Sequence, residues 1–264
     1  MKLPLLGLGT WDLRGDECTE TVKRALEIGY RHIDTSIDYE NQEAIKKAIK
    51  GFDRKQLFLT SKFELAMIDL KKIPRSVEET CDLALKQLGT EYVDLYLIHW
   101  PDKSMPMTEV FKAMELLIKK GKIKKAGVSN FTIHHLENLL NDGCKPAANQ
   151  VEFHPYLYQK ELLDYCKAES IQLIGYRPFG KGVILKDPVL KKIGTAHEKS
   201  SGQVILRWFF QKEIPTIPKA GSEKHLIENF NSMDFELSAN EMHEIEKLHQ
   251  NKRFCDSEDS EFNL

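Results

Sequence analysis

Seven short, largely apolar runs in this chain each end in a polar side chain: Asp34 after YRHI, Lys62 after LFLTS, His99 after VDLYLI, Ser129 and Asn130 after KAGV, Gln150 after AAN, Tyr176 after LIG, and Lys219 after TIP. Between these runs apolar residues recur with helical spacing. Helices are predicted from Glu17 to Ile28, Gln42 to Ile49, Pro74 to Leu88, Met107 to Lys120, Ile133 to Leu140, Lys160 to Ala168, Pro188 to His197, Gln203 to Phe210 and Glu223 to Phe230. Gly29, Gly51 and Gly89 follow three of these stretches, where a helix C-cap is expected. LLGLGT, from Leu5 to Thr10, makes a first strand and PTIP an eighth.

Alternation of this kind predicts an α/β fold, a single (β/α)8 barrel over residues 1–264 with eight strand-helix units. An additional C-terminal helix from Ala239 to His249 follows Ser238, an N-cap residue with Glu241 three positions on. Residues from about 250 to 264 form a polar, acidic tail that either stays mobile or folds over the barrel mouth. The polar residues at the strand ends then share one rim, where parallel barrels carry their chemistry.

Size and charge agree with a small-molecule enzyme. A chain of 264 residues, 41% hydrophobic and 30% charged with formal net charge -2, suits one barrel and offers no basic face for nucleic acid. No apolar run reaches membrane-span length and the N-terminus lacks a cleavable leader pattern, so no membrane partner and a cytoplasmic location are expected. The five cysteines are scattered singly and read as free thiols, and the histidines show no metal-ligand spacing, so no metal is expected.

Asp34, Tyr39, Lys62 and His99 arrive at or just beyond the second, third and fourth strands, which lie about 4.8 Å from one another in a parallel sheet. Together they suit carbonyl reduction. A lysine beside a phenol favours the phenolate, a carboxylate steadies the lysine, and a neutral histidine orients the carbonyl oxygen. Singly, each is equally an ordinary polar residue at a strand end. Lys62 and Lys219 also leave open a Schiff-base enzyme.

Ser129, Asn130, Gln150 and Tyr176 offer hydroxyl, amide and aromatic groups suited to a nicotinamide ring, although Ser129 or Asn130 could instead cap the next helix. Lys219, with backbone N–H groups where a helix begins near Ser222, and Lys181 are phosphate candidates; Glu228 and Asn229 suit adenine or ribose. No GxGxxG follows the first strand, so a Rossmann site lacks its signature. Trp11, Phe63 and Trp100 are candidate walls of a substrate pocket, and Asp38 could touch a polar substrate.

The segments GLGTW, RHIDTSIDYENQEAI, LFLTSKF, DLYLIHWP, KAGVSNF, NQVEFHPY, GYRPFGKG, LRWFFQ and IPKAGSEKHLIEN resemble, in order and over nearly the whole chain, those of the aldo-keto reductase superfamily. The resemblance implies reduction of aldehydes or ketones by hydride transfer with a tyrosine proton donor, in a monomer. It makes Asp34, Tyr39, Lys62 and His99 the catalytic tetrad, Ser129, Asn130, Gln150 and Tyr176 nicotinamide ligands, and Lys219, Glu228 and Asn229 adenosine ligands. The short length is similar to microbial members that reduce diketogluconate, methylglyoxal and other aldehydes. An alternative within the same fold is a nicotinamide-binding redox sensor with little turnover.

Several positions depart from the family pattern. His225 stands where an arginine commonly holds the adenosine 2'-phosphate, Ala220 replaces a hydroxyl residue, and Arg177 replaces a serine and could reach pyrophosphate. NADPH preference with NADH possible is the resulting expectation. Gln42 replaces a glutamate away from the reacting groups.

Overall fold

Parallel strands follow one another around the sheet in chain order: β1 (Leu8–Gly9), β2 (His32–Asp34), β3 (Phe58–Phe63), β4 (Val93–Ile98), β5 (Ile123–Ser129), β6 (Ala148–Glu152) and β7 (Gln172–Tyr176). The computed structural model describes residues 3–255; the remainder of the predicted tail, residues 256–264, lies outside them. Ten helices accompany these strands among the described residues. They are α1 (Gly15–Ile28), α2 (Gln42–Ile49), α3 (Ile73–Leu88), α4 (Met107–Lys119), α5 (Ile133–Asn141), α6 (Lys160–Ala168), α7 (Pro188–Ala196), α8 (Ser201–Gln211), α9 (Glu223–Phe230) and α10 (Ala239–Glu246). None is long and apolar enough to cross a membrane.

The predicted eighth strand is reduced to Thr216, which bridges Leu6 on one side and Gly175 on the other. Pro215 and Pro218 have no N–H to place in a ladder, so a regular strand cannot form there. Closure rests on five backbone bonds instead: Thr216 N to Leu5 O at 2.8 Å, Gly7 N to Thr216 O at 2.9 Å, Gly9 N to Pro218 O at 3.2 Å, Gly175 N to Pro215 O at 2.8 Å and Ile217 N to Gly175 O at 3.2 Å. Gly9 fits this seam because a Cβ there would lie 2.5 Å from the Ile217 carbonyl oxygen. The result is a closed (β/α)8 barrel with one minimal stave.

Helix ends follow local chemistry. Ser200 with Gln203 and Ser238 with Glu241 form capping boxes at the starts of α8 and α10. Gly89 ends α3 in the left-handed region, φ 64°, which an L side chain would resist. The last helix stops at Glu246 rather than at the predicted His249. From there the chain turns back: Gln250 N and Lys252 N each reach the Tyr156 carbonyl at 3.1 Å.

Strand alternation separates two apolar layers. The larger lies between sheet and helices and contains Phe63, Tyr96, Phe111, Phe153, Trp208 and Phe209. The smaller fills the barrel interior with Phe58, Leu95, Leu97, Ala148 and Ile174, with Leu3 against it. An even number of residues farther along the same strands, side chains return to the interior at the carboxyl ends. Phe58 is followed by Lys62, Leu97 by His99, Ala148 by Gln150 and Ile174 by Tyr176. Apolar plug and polar rim are therefore successive layers of one pleat.

Candidate active site

Lys62 and Asp34 are almost completely enclosed, at 1% and 2% side-chain exposure, and Lys62 Nζ lies 2.5 Å from Asp34 Oδ1. Lys62 also donates to the Thr35 carbonyl at 3.1 Å, and Gln150 Nε2 donates to Asp34 Oδ2 at 2.7 Å. Burial alone would push the Lys62 ammonium to lose its proton, but the attraction of Asp34, with Tyr39, outweighs it and holds the pKa above the ordinary value. This ion pair survives burial because hydrogen bonds occupy what the pair itself leaves open.

Tyr39 sits in a short 3-10 turn, Ile37–Tyr39, between β2 and α2, with the Lys62 ammonium 5.1 Å from its ring centre. The sequence argument expects Lys62 to lower the phenol pKa. The net effect is opposite: burial dominates and pushes it up to about 12, with Lys62 opposing and Asp34 and Asp38 assisting the rise. Tyr39 is therefore a protonated group facing a cavity.

The Tyr39 and His99 rings meet edge to face with centroids 5.8 Å apart. His99 Nδ1 lies 2.5 Å from Glu64 Oε1 and 3.4 Å from Asp38 Oδ1. Burial favours a neutral ring, but the two carboxylates outweigh it and raise the pKa. The direction of that shift runs against the expectation of a neutral His99. Asp38, Glu64 and His99 are also the three-residue group whose potential ligand atoms fall within 4.8 Å of one another among the described residues. Two ligands of a tetrahedral zinc at about 2.1 Å stand roughly 3.4 Å apart, so the 2.5 Å contact is a proton-sharing distance.

Beyond β5 and β7 the groups are neutral and mutually bonded. Ser129 Oγ donates to the Gln150 carbonyl at 2.8 Å, Asn130 Nδ2 to the His99 carbonyl at 2.9 Å, and the Tyr176 hydroxyl to Asn130 Oδ1 at 2.8 Å. Asn130 and Arg177 both have left-handed backbones, φ 66° and 52°, a conformation Asn tolerates and Arg adopts at a cost of about 1–2 kcal/mol. Arg177 Nη1 donates to the Phe254 carbonyl at 2.5 Å, and its guanidinium stands 5.2 Å from the Trp11 ring centre.

These groups line one cavity of about 520 Å³, within the usual range for small-molecule sites. Asp34, Tyr39, His99, Ser129, Asn130, Gln150, Tyr176, Arg177 and Lys219 reach it, with Trp11, Trp100, Asp38 and Lys181; Lys62 lies beneath as the partner of Asp34. Phe63 does not. It is 0% exposed and stacks on Tyr96 with centroids 5.1 Å apart, since the residue after an inward Lys62 must point to the helices. His225, Glu228 and Asn229 lie on α9 outside the cavity lining; His225 is exposed, whereas Asn229 is buried near Tyr30. Lys219 is held by Asp12 at 3.0 Å.

One contributor escaped the sequence reading and a second was left open by it. Glu64 follows Phe63, so an acid just beyond the third strand was its only signal. The second is the strap at Phe254 and Cys255, whose N–H groups donate to Glu152 at 2.7 and 2.9 Å. Burial would raise the Glu152 pKa, but bonds from His154 and from these two N–H groups hold it below the ordinary value. Cys255 thereby reaches the cavity wall, so the early part of the tail does fold to the mouth. All five cysteines are free.

Comparison with known proteins agrees with this geometry. The family model described as "Aldo/keto reductase family" matches residues 5–250. Glyoxal reductase of Bacillus subtilis is 44% identical over 96% of this chain and 91% of its own. Methylglyoxal reductase DkgA of Escherichia coli is 38% identical, covering 95% and 91%. A solved aldo-keto reductase from a Medee basin deep-sea metagenome library superposes with TM-score 0.90 at 36% identity, over 98% of this chain and 97% of that one. The chain belongs to the aldo/keto reductase family.

Proposed function

We propose that this protein reduces small aldehydes and α-dicarbonyl compounds to alcohols, with a reduced nicotinamide cofactor and with Tyr39 as proton donor. The observation that carries the reading is the meeting of Asp34, Tyr39 and His99 at one cavity, with Tyr39 kept protonated and the charged Lys62 directly beneath, paired with Asp34. Relatives named glyoxal and methylglyoxal reductase direct the choice of test substrates.

The cofactor supplies hydride to the carbonyl carbon. Tyr39 gives its phenolic proton to the carbonyl oxygen, and the Lys62 ammonium stabilises the phenolate left behind. Asp34 acts through Lys62, fixing its position. With Nδ1 facing two carboxylates, a neutral His99 would keep its one proton on Nδ1 and leave Nε2 without a donor. The raised pKa favours the imidazolium, whose Nε2–H can hold the same carbonyl oxygen. Ser129, Asn130, Gln150 and Tyr176 fit the nicotinamide end because all four line the cavity with amide, hydroxyl and aromatic groups whose present bonds to one another a carboxamide could exchange.

Arg177, Lys181 and Lys219 form a cationic wall suited to phosphate. Lys219 would exchange Asp12 for that ligand, while His225, Glu228 and Asn229 meet the adenosine end. NADPH is preferred, with NADH accepted because His225 lacks a permanent charge. A monomer is the state that membership of the family suggests. No described feature favours a sensor without turnover. Consumption of NADPH and NADH with glyoxal, methylglyoxal and benzaldehyde tests the reading: turnover supports it, and cofactor binding without oxidation of either nucleotide would refute it.

A further inference from the structure

The charges around the cavity are sorted by strand. Cations arise from the loops after β7 and after Thr216: Arg177, Lys181 and Lys219. Acids arise from the loops after β2 and β3: Asp38 and Glu64, in addition to the neutralised Asp34. The cationic wall belongs to the proposed cofactor end. Tyr39, the proposed proton donor, stands on the acidic side, next to Asp38 in the 3-10 turn and edge to face with the His99 ring.

Asp38 and Glu64 share one imidazole. Their contacts to His99 Nδ1 are 3.4 and 2.5 Å, and Asp38 also accepts from Ser36 Oγ. A single imidazolium cannot neutralise both. The group carries net charge -1 with His99 protonated and -2 with it neutral, so the sign is negative in either state. Both carboxylates retain solvent access, with side-chain exposures of 37% and 31%, and both line the cavity. An incoming molecule with its carbonyl at Tyr39 thus meets negative charge beside the reacting carbon. Trp11 and Trp100 add aromatic walls that accept neutral or cationic groups.

Resting on the proposed reductase activity, we infer that Glu64 and Asp38 are specificity-determining residues that exclude anionic carbonyl compounds and admit neutral or ammonium-bearing ones. Keto acids, sugar acids and phosphorylated aldehydes fall in the excluded class. Repulsion is the device: a carboxylate on the substrate is desolvated against like charge, whereas a neutral isostere loses nothing. Uronate-type and diketogluconate-type substrates are poor candidates on this ground, and dicarbonyls and amino-aldehydes are good ones.

The test compares 4-carboxybenzaldehyde with its neutral isostere 4-carbamoylbenzaldehyde and with 4-(trimethylammonio)benzaldehyde, at saturating NADPH. The wild type should favour the amide over the carboxylate by about tenfold or more in kcat/KM, mostly through KM, with the ammonium compound at least equal to the amide. Glu64→Gln should shrink the amide-to-carboxylate ratio severalfold, and Asp38→Asn should shrink it less, because Asp38 is the more exposed. Equal use of amide and carboxylate by the wild type, or a ratio that neither variant changes, overturns the inference. Should none of the aldehydes be reduced, the reductase reading fails separately. Binding of benzoate against benzamide, followed by tryptophan fluorescence, then decides the charge inference, which tighter benzoate would overturn.

Discussion

The two halves of the barrel mouth hold their polar groups by different means. On the β2 to β4 side the groups are ionic and interlocked: Lys62 with Asp34, and His99 with Glu64 and Asp38. On the β5 to β7 side neutral amides and hydroxyls bond to one another, and the cations at the rim are exposed or tied to replaceable partners such as Asp12. Gln150 links the halves by donating to Asp34 across the barrel. The difference teaches which half is finished before any ligand arrives. On the ionic side the fold itself sets the direction in which the pKa values move, whereas the neutral side keeps bonds that a ligand can exchange.

The sharpest break comes from Tyr39→Phe. It keeps the ring against His99 but removes the proton, and turnover should fall by about 10²–10⁴-fold with cofactor binding intact. Steady-state kinetics beside cofactor titration would show this; normal turnover would reassign the donor. Next, Lys62→Met should unfold earlier in urea by about 3–5 kcal/mol, since Asp34 is left buried without its ion partner. Lys219→Met, at an exposed pair, should cost under about 1 kcal/mol while weakening NADPH binding. Equal stability losses would erase the contrast between the two halves.

A third effect is in pH. His99 has its folded pKa raised, so the imidazolium persists above the ordinary value of about 6.5. Reduction should fade as pH rises through that raised value, because Nε2 loses its proton. The associated stability is fully present below the unfolded pKa and lost across the same rise. Glu64→Gln should move the fading to lower pH, and an unmoved profile would detach His99 from Glu64. The smallest effect is His225→Arg, expected to favour NADPH over NADH by about tenfold, equivalent to about 1.4 kcal/mol. Equal tightening of both nucleotides would place residue 225 away from the phosphate.

Much of the architecture was legible because it is periodic. The helix from Gln42 to Ile49, the strand VDLYLI and the helix from Lys160 to Ala168 have the predicted bounds. PTIP was legible as a location but not as a strand, since its prolines withhold the donors that a ladder requires. Phe63 was misplaced because aromatic character at a strand end outweighed the simpler rule that neighbours of an inward Lys62 point outward. At the other end of the chain, α10 stops short and the strap returns to Glu152, a contact between residues 102 apart in sequence that local pattern does not carry.

What the sequence determined by itself was the order of elements, the rim on which the polar residues gather and the set of side chains available for proton transfer. These follow from periods of two and 3.6 residues and from side-chain chemistry, which are properties of the chain alone. Tertiary structure decided the direction in which the pKa values of that set move. Tyr39 is held high by burial against the pull of Lys62, and His99 is held high by Glu64 and Asp38 against burial. Each outcome is a balance between desolvation and charges that come from other strands, and such a balance exists only once the strands stand side by side.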